Sequence, residues 1–312
     1  MKRFFICAAA AIVALASCSK TQVVYNDAPE EIGFKAVSGV MTKAPIEDGI
    51  LPTEKDMVVF ASKSAEAAGT YSPYFSNATF AWNNTGSYWS GGKYWPESGY
   101  LKFIAYYPAG NGTYVSGDAT SSILFEGVNA ASGDDILYTE LTAAYACASS
   151  PTVPMPFLHA LAQVQVTAKV SDAKMTGVKV TNVVLTGAPM TGDLTITEDN
   201  ATWDNQVVGT EVTMDNDITG VNLTTAAITL GEGTLVVPDT HSATLTVTYT
   251  VDGLVKTTDA LSISGTWEKG KKYIYALSIG LEEIKLTATV GGWDTDLDGD
   301  DVADDDIPVD VN

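Results

Sequence analysis

Nearly every regular run in this chain alternates apolar and polar residues with a period of two. In "LKFIAYYP", Leu101, Phe103, Ala105 and Tyr107 share one face. In "SATLTVTYTVDG", Leu245, Val247, Tyr249 and Val251 face one way, and Thr244, Thr246, Thr248 and Thr250 face the other. Extended chain places successive side chains on opposite faces, so these runs read as half-buried strands rather than helices. Asp252 and Gly253 then supply two positions that tolerate positive φ, and "LVKTTDALSIS" returns as the hairpin partner. Similar runs occur at "DMVVFAS", "LAQVQVTAKV", "MTGVKVTNVVL", "GDLTIT", "AAITL", "GTLVV", "KKYIYALSI" and "IKLTATV". Short strands separated by Gly, Asn, Asp and Pro predict an all-β fold of antiparallel sandwiches and not an α/β sheet. Only Ala65 to Ala68 hints at a helix, and that run is too brief to shape the fold.

The first seventeen residues stand outside this pattern. Lys2 and Arg3 precede an uncharged, mostly apolar run from Phe4 to Ala16, followed by "LASCSK". A charged start, a short apolar core and small residues ending at a Cys make an export signal, too short to cross a bilayer stably. Leu15-Ala16-Ser17-Cys18 resembles the lipobox of bacterial lipoproteins, which makes Cys18 the expected lipid-attachment residue and first mature residue. With residues 1–17 removed, the remainder suffices for about two domains of ~100–200 residues each. Residues 18–31 are polar, acidic and patternless and read as a tether. Pro151, Pro154 and Pro156 in "SSPTVPMP" predict an extended linker at 151–156, between an N-terminal sandwich at 32–150 and a C-terminal one at 157–312.

Charge narrows the partners. The net charge of −21 becomes −23 when Lys2 and Arg3 leave with the signal, and Arg3 is the chain's single arginine. Nucleic acid is excluded as a partner, because phosphate binding needs basic patches. No later segment reaches the ~20 apolar residues of a membrane helix, so the lipid on Cys18 is the expected membrane attachment. Of three cysteines, Cys7 is removed and Cys18 is committed to lipid. Cys147 has no disulfide partner and reads as a small buried hydrophobe.

Motifs for catalysis are missing: the sequence holds no H-E-x-x-H, C-x-x-C, G-x-S-x-G or phosphate-binding glycine loop. His159, between apolar neighbours, reads as a structural residue, and His241 as a turn residue. The chain is therefore expected not to be an enzyme. Two stretches remain as candidate binding sites. "YSPYFSNATFAWNNTGSYWSGGKYW" carries Trp82, Trp89 and Trp95 with Tyr88 and Tyr94, which either pack the first sandwich or offer faces on which glycan rings stack. In "DTDLDGDDVADDD", Asp294, Asp296 and Asp298 stand at positions 1, 3 and 5 of an EF-hand-like spacing, with Gly299 at 6, Asp300 at 7 and Asp305 at 12. That makes a candidate Ca²⁺ loop. Position 12 lacks the bidentate Glu and the segment entering the loop is a strand, so a solvated acidic loop is the competing reading. No other cofactor is expected.

"KYWPESGYLKFIAYYP" (Lys93 to Pro108), "FLHALAQVQV" (Phe157 to Val166) and "GTWEKGKKYIYALSI…IKLTATVGGW" (Gly265 to Trp293) resemble, in order and spacing, the fimbrillin family, the Mfa-like type V pilins. The resemblance implies two transthyretin-like antiparallel β-sandwich domains, export as an outer-membrane lipoprotein, trimming of an N-terminal segment and polymerisation by strand exchange. It implies a fimbrial stalk or tip subunit, with other pilin subunits and a trypsin-like processing protease as partners. In "IGFKAVSGVMTKAP", Ile32, Phe34 and Ala36 alternate inward, and Lys43-Ala44 is the bond whose cleavage the scheme requires. The chain departs from the family in carrying Lys where Arg is usual, so an Arg-specific protease could not act there. The tail "IPVDVN", with Ile307, Val309 and Val311 on one face, is the matching donor segment. The alternative is a permanently anchored surface lipoprotein that binds a host protein or glycan.

Overall fold

The computed structural model describes residues 30–38, 51–147, 152–214, 221–280 and 284–292. Strands β1 (Glu31–Ser38), β2 (Met57–Ser64), β3 (Ser72–Asn83), β4 (Tyr88–Tyr94) and β5 (Tyr100–Tyr107) are followed by β6 (Thr113–Ser116), β7 (Ile123–Asn129), β8 (Leu137–Tyr138), β9 (Tyr145–Ala146) and β10 (Thr152–His159). The second half contributes β11 (Ala162–Val170), β12 (Val178–Thr186), β13 (Pro189–Ile196), β14 (Ala201–Val208), β15 (Val212–Thr213), β16 (Ile228–Val236) and β17 (Asp239–His241). It ends with β18 (Thr244–Val251), β19 (Leu254–Thr257), β20 (Leu261–Ser262), β21 (Gly265–Trp267), β22 (Lys271–Ile279) and β23 (Ile284–Gly292). Among the described residues the helical content is one 3₁₀ turn at Ala130–Ser132, and Ala65 to Ala68 form bends and a turn.

The first unit differs from the expected open sandwich. Its strands run β2-β3-β4-β1-β10-β8-β5, and β5 pairs again with β2, closing a seven-strand barrel-like ring with β9 appended to β5. Closure leaves no free edge along the ring, where an open sheet would expose two. The second half holds four-stranded β16-β11-β22-β23 and β14-β13-β7-β6, a sheet of order β15-β12-β18-β19 with β20 on β18, and the small pair β17-β21. Most ladders are antiparallel as expected, but β1 with β10 and β11 with β22 are parallel. In each parallel pair a long stretch of chain separates the partners, as parallel strands require.

The expected linker is also corrected. Thr152 to Pro156 belong to β10, which runs in register beside β1 from Gly33↔Thr152 to Ser38↔Phe157. Successive N–H groups of a strand point to opposite edges, so prolines two apart lose donors along one edge only. The ladder with β1 passes through both prolines, which puts the missing donors on the far edge. That edge meets β8 only at Leu158 and His159.

Nor does the boundary between cores fall near residue 151. Met57, Val59 and Ala61 of β2 and Leu101, Phe103, Ala105 and Tyr107 of β5 line the barrel interior. On the opposite faces of the same strands, Val58, Phe60, Ile104 and Tyr106 join the core of the second half. Strands buried on both faces read as continuous apolar runs, which is what "MVVFA" and "FIAYY" are. Strands β6 and β7 cross over as well, forming a sheet with β13 and β14. The Asp252-Gly253 turn has the expected geometry: φ is 49° and 85°, and Val251 faces Leu254 across the hairpin.

Candidate functional site: the seat of the first strand

Strand β1 is held on both sides. It pairs antiparallel with β4 through Phe34↔Trp89 and Gly33↔Ser90, and parallel with β10. Ile32 and Phe34 are fully buried and Ala36 is 8 % exposed, so the alternation read in the sequence places three side chains in the barrel interior. Val153, Met155 and Phe157 of β10 enter the same interior. The Phe34 ring meets Phe80 edge-on at 4.9 Å and Phe103 at 5.0 Å. Polar contacts fix the entry end: the Trp95 amide donates to the Glu30 carbonyl at 2.9 Å, and the Gly92 amide donates to the Glu31 carboxylate at 2.9 Å.

Magnitudes define what this seat can do. Full burial of a large apolar side chain is worth ~1.5–3 kcal/mol, whereas ordering one backbone residue costs ~1–2 kcal/mol. Burial of Ile32 and Phe34 falls short of the cost of ordering the eight residues of β1, so the ladders with β4 and β10 supply the rest of the strand's hold.

Of the two readings of the tryptophans, packing and glycan face, burial favours packing for Trp89 and Trp95. Trp89 and Trp95 lie inside the barrel at 1 % and 6 % exposure, and Trp82 is half-buried with its ring 4.5 Å from that of Trp89. A sugar ring needs an open aromatic face, and neither Trp89 nor Trp95 has one. His159, at the end of β10, is buried with Nδ1 2.8 Å from the Asp135 carboxylate. His241 is not a turn residue: it sits on β17, stacks on Trp267 at 3.4 Å between centroids, and has Nε2 2.6 Å from the Ile263 carbonyl. Burial pushes its pKa below the ordinary histidine value, against the raising influence of the Ile263 and Asp239 carbonyls. Cys147 is half-buried, and burial raises its thiol pKa.

Cys18, Lys43, Ala44 and the run Asp294, Asp296, Asp298, Asp300 and Asp305 lie outside the described residues. Among the described residues, no cluster of His, Cys, Asp or Glu could hold a metal, and no helix is long and apolar enough to cross a membrane. Sequence reasoning missed β10 as the second wall of the seat. Its signal was present in Val153, Met155 and Phe157, which alternate beneath the prolines.

The sequence profile described as fimbrillin-like matches residues 42–293, beginning just beyond β1. Comparison with curated proteins finds no match. Among solved structures, a fimbrial protein from Bacteroides vulgatus is similar with a TM-score of 0.59 at 19% identity, covering 83% of this chain and 99% of that one. A candidate cell-adhesion protein from Bacteroides ovatus aligns with a TM-score of 0.57 at 14% identity, over 85% of this chain and 98% of that one. Another from Bacteroides uniformis gives 0.52 at 17% identity, over 85% and 99% respectively. These likenesses carry the fold, and the profile match spans most of the chain. The chain therefore belongs to the fimbrillin-like family, a structural and not an enzymatic one.

Proposed function

We propose that the chain is a stalk or tip subunit of a surface fimbrium, exported as an outer-membrane lipoprotein through Cys18 and assembled by β-strand exchange. In this reading β1 is the resident strand that keeps the precursor from polymerising. Cleavage after Lys43 by a trypsin-like protease frees it and at the same time releases the body of the subunit from the lipid. The observation that carries the reading is the seat itself: β1 lies between β4 and β10 with Ile32 and Phe34 fully buried, while the processing bond follows a few residues beyond Ser38. Cutting changes no contact in the seat. It turns a tethered strand of high effective concentration into a peptide that can diffuse away, which tips a near-balanced exchange. The donor is the "IPVDVN" segment of a neighbouring subunit, and the second half is of the transthyretin-like sandwich type.

Sequencing of protein recovered from the cell surface tests this directly. The N-terminus should be Ala44, and Lys43→Gln should leave full-length lipoprotein that does not polymerise. Assembled protein that still carries residues 18–43 would refute the scheme and favour a permanently anchored adhesin.

A further inference from the structure

A cavity of about 470 Å³ opens where the outer wall of the barrel meets the β13–β14 turn. Ile104 and Ala119, both buried, form its floor with Leu141. Its side wall is Tyr71, over whose ring the Lys102 ammonium stands at 4.9 Å from the centroid. Glu198 faces the same space, as does Ser122. Neither the Lys102 ammonium nor the Glu198 carboxylate has a charged partner among the described residues, and the Ser122 hydroxyl has no hydrogen-bond partner among them. In so acidic a chain, an unpaired lysine held beside an apolar floor is an unusual placement.

We propose that this cavity binds a saccharide unit carrying a single carboxylate, such as a uronic or sialic acid. Its volume falls in the ~300–1,000 Å³ range of small-ligand sites. The sugar carboxylate pairs with Lys102, the C–H face of the ring lies on the part-exposed Leu141 above the buried floor, and ring hydroxyls donate to Glu198 and exchange hydrogen bonds with Ser122. A neutral sugar would leave Lys102 without a counter-charge. A phosphate ester carries more negative charge than one lysine offsets, and the cavity holds no second base. The chain's net negative charge opposes approach from a distance, but that field is screened over ~8 Å at physiological salt, so Lys102 governs the contact.

The test is ligand-observed saturation-transfer NMR and calorimetry on the purified protein, with N-acetylneuraminic acid, glucuronic acid and neutral galactose. At least one acidic sugar should bind saturably, and galactose at least tenfold more weakly. Lys102→Gln should weaken acid binding tenfold or more, Lys102→Arg should retain it, and Glu198→Gln should weaken it several-fold, each with unchanged circular dichroism and melting temperature. The proposal is overturned if neither acid binds, if galactose binds equally well, or if Lys102→Gln leaves affinity unchanged.

Discussion

Phe34 and Phe80 meet edge to face, their ring centroids 4.9 Å apart at 72°. The contact joins the strand that the proposed scheme removes to a strand that stays, and Phe34 is the largest fully buried side chain that β1 contributes. Phe34→Ala should destabilise the uncleaved protein by about 3–5 kcal/mol, the range for deleting a buried phenyl ring. Urea unfolding measures the total. Hydrogen exchange should accelerate first in β1 and β10, and uniform acceleration across the second half would mean that the strand is not separable.

Cys18→Ala should abolish lipidation and move the protein from membrane to soluble export fractions. A palmitate analogue that still labels the variant would overturn the assignment of the anchor.

The β18–β19 turn tests backbone strain in isolation. A Cβ at Gly253 would meet nothing within 4 Å, so any cost of substitution there comes from φ at 85° and not from collision. Gly253→Asn should be close to neutral, whereas Gly253→Val should destabilise by about 1–3 kcal/mol, because branched side chains resist positive φ. Equal effects from the two in urea titrations would contradict this.

His241 gives a pH dependence of definite sign. Its folded pKa lies below the ordinary 6.5, so in the window below 6.5 the unfolded chain binds more protons than the folded one. Stability should therefore fall as pH drops from about 6.5 towards the folded pKa. His241→Phe, which keeps a ring on Trp267, should flatten that part of the curve in melting experiments. An unchanged slope would show that other groups set it.

The strands and the hairpin at Asp252-Gly253 were legible because alternation and turn chemistry are local properties. Ring closure was not, since it depends on β2 pairing with both β3 and β5, and nothing local distinguishes a strand with two partners from one at an edge. The prolines at 154 and 156 misled for a definite reason: a missing donor marks one edge of a strand as unusable, not the strand itself. Trp89 and Trp95 were ambiguous because aromatic spacing does not reveal which side of a curved sheet is the inside. The seat was half legible, with Ile32, Phe34 and Ala36 visible from β1 and the β10 wall hidden beneath its prolines.

The parallel alignment of β1 and β10 gives the joint between them a direction. Strand β10 continues through Ala160 and Leu161 into β11, which is bonded on both edges, so β10 is held from its C-terminal end. Tension drawn from Glu31 pulls opposite to that hold and loads the ladder in shear, all its bonds resisting together. Tension drawn from Ser38 acts at the same end as the hold and peels the bonds one after another. The same short ladder is thus a firm grip against force drawn from Glu31 and a weak one against force from the side that leads to Lys43.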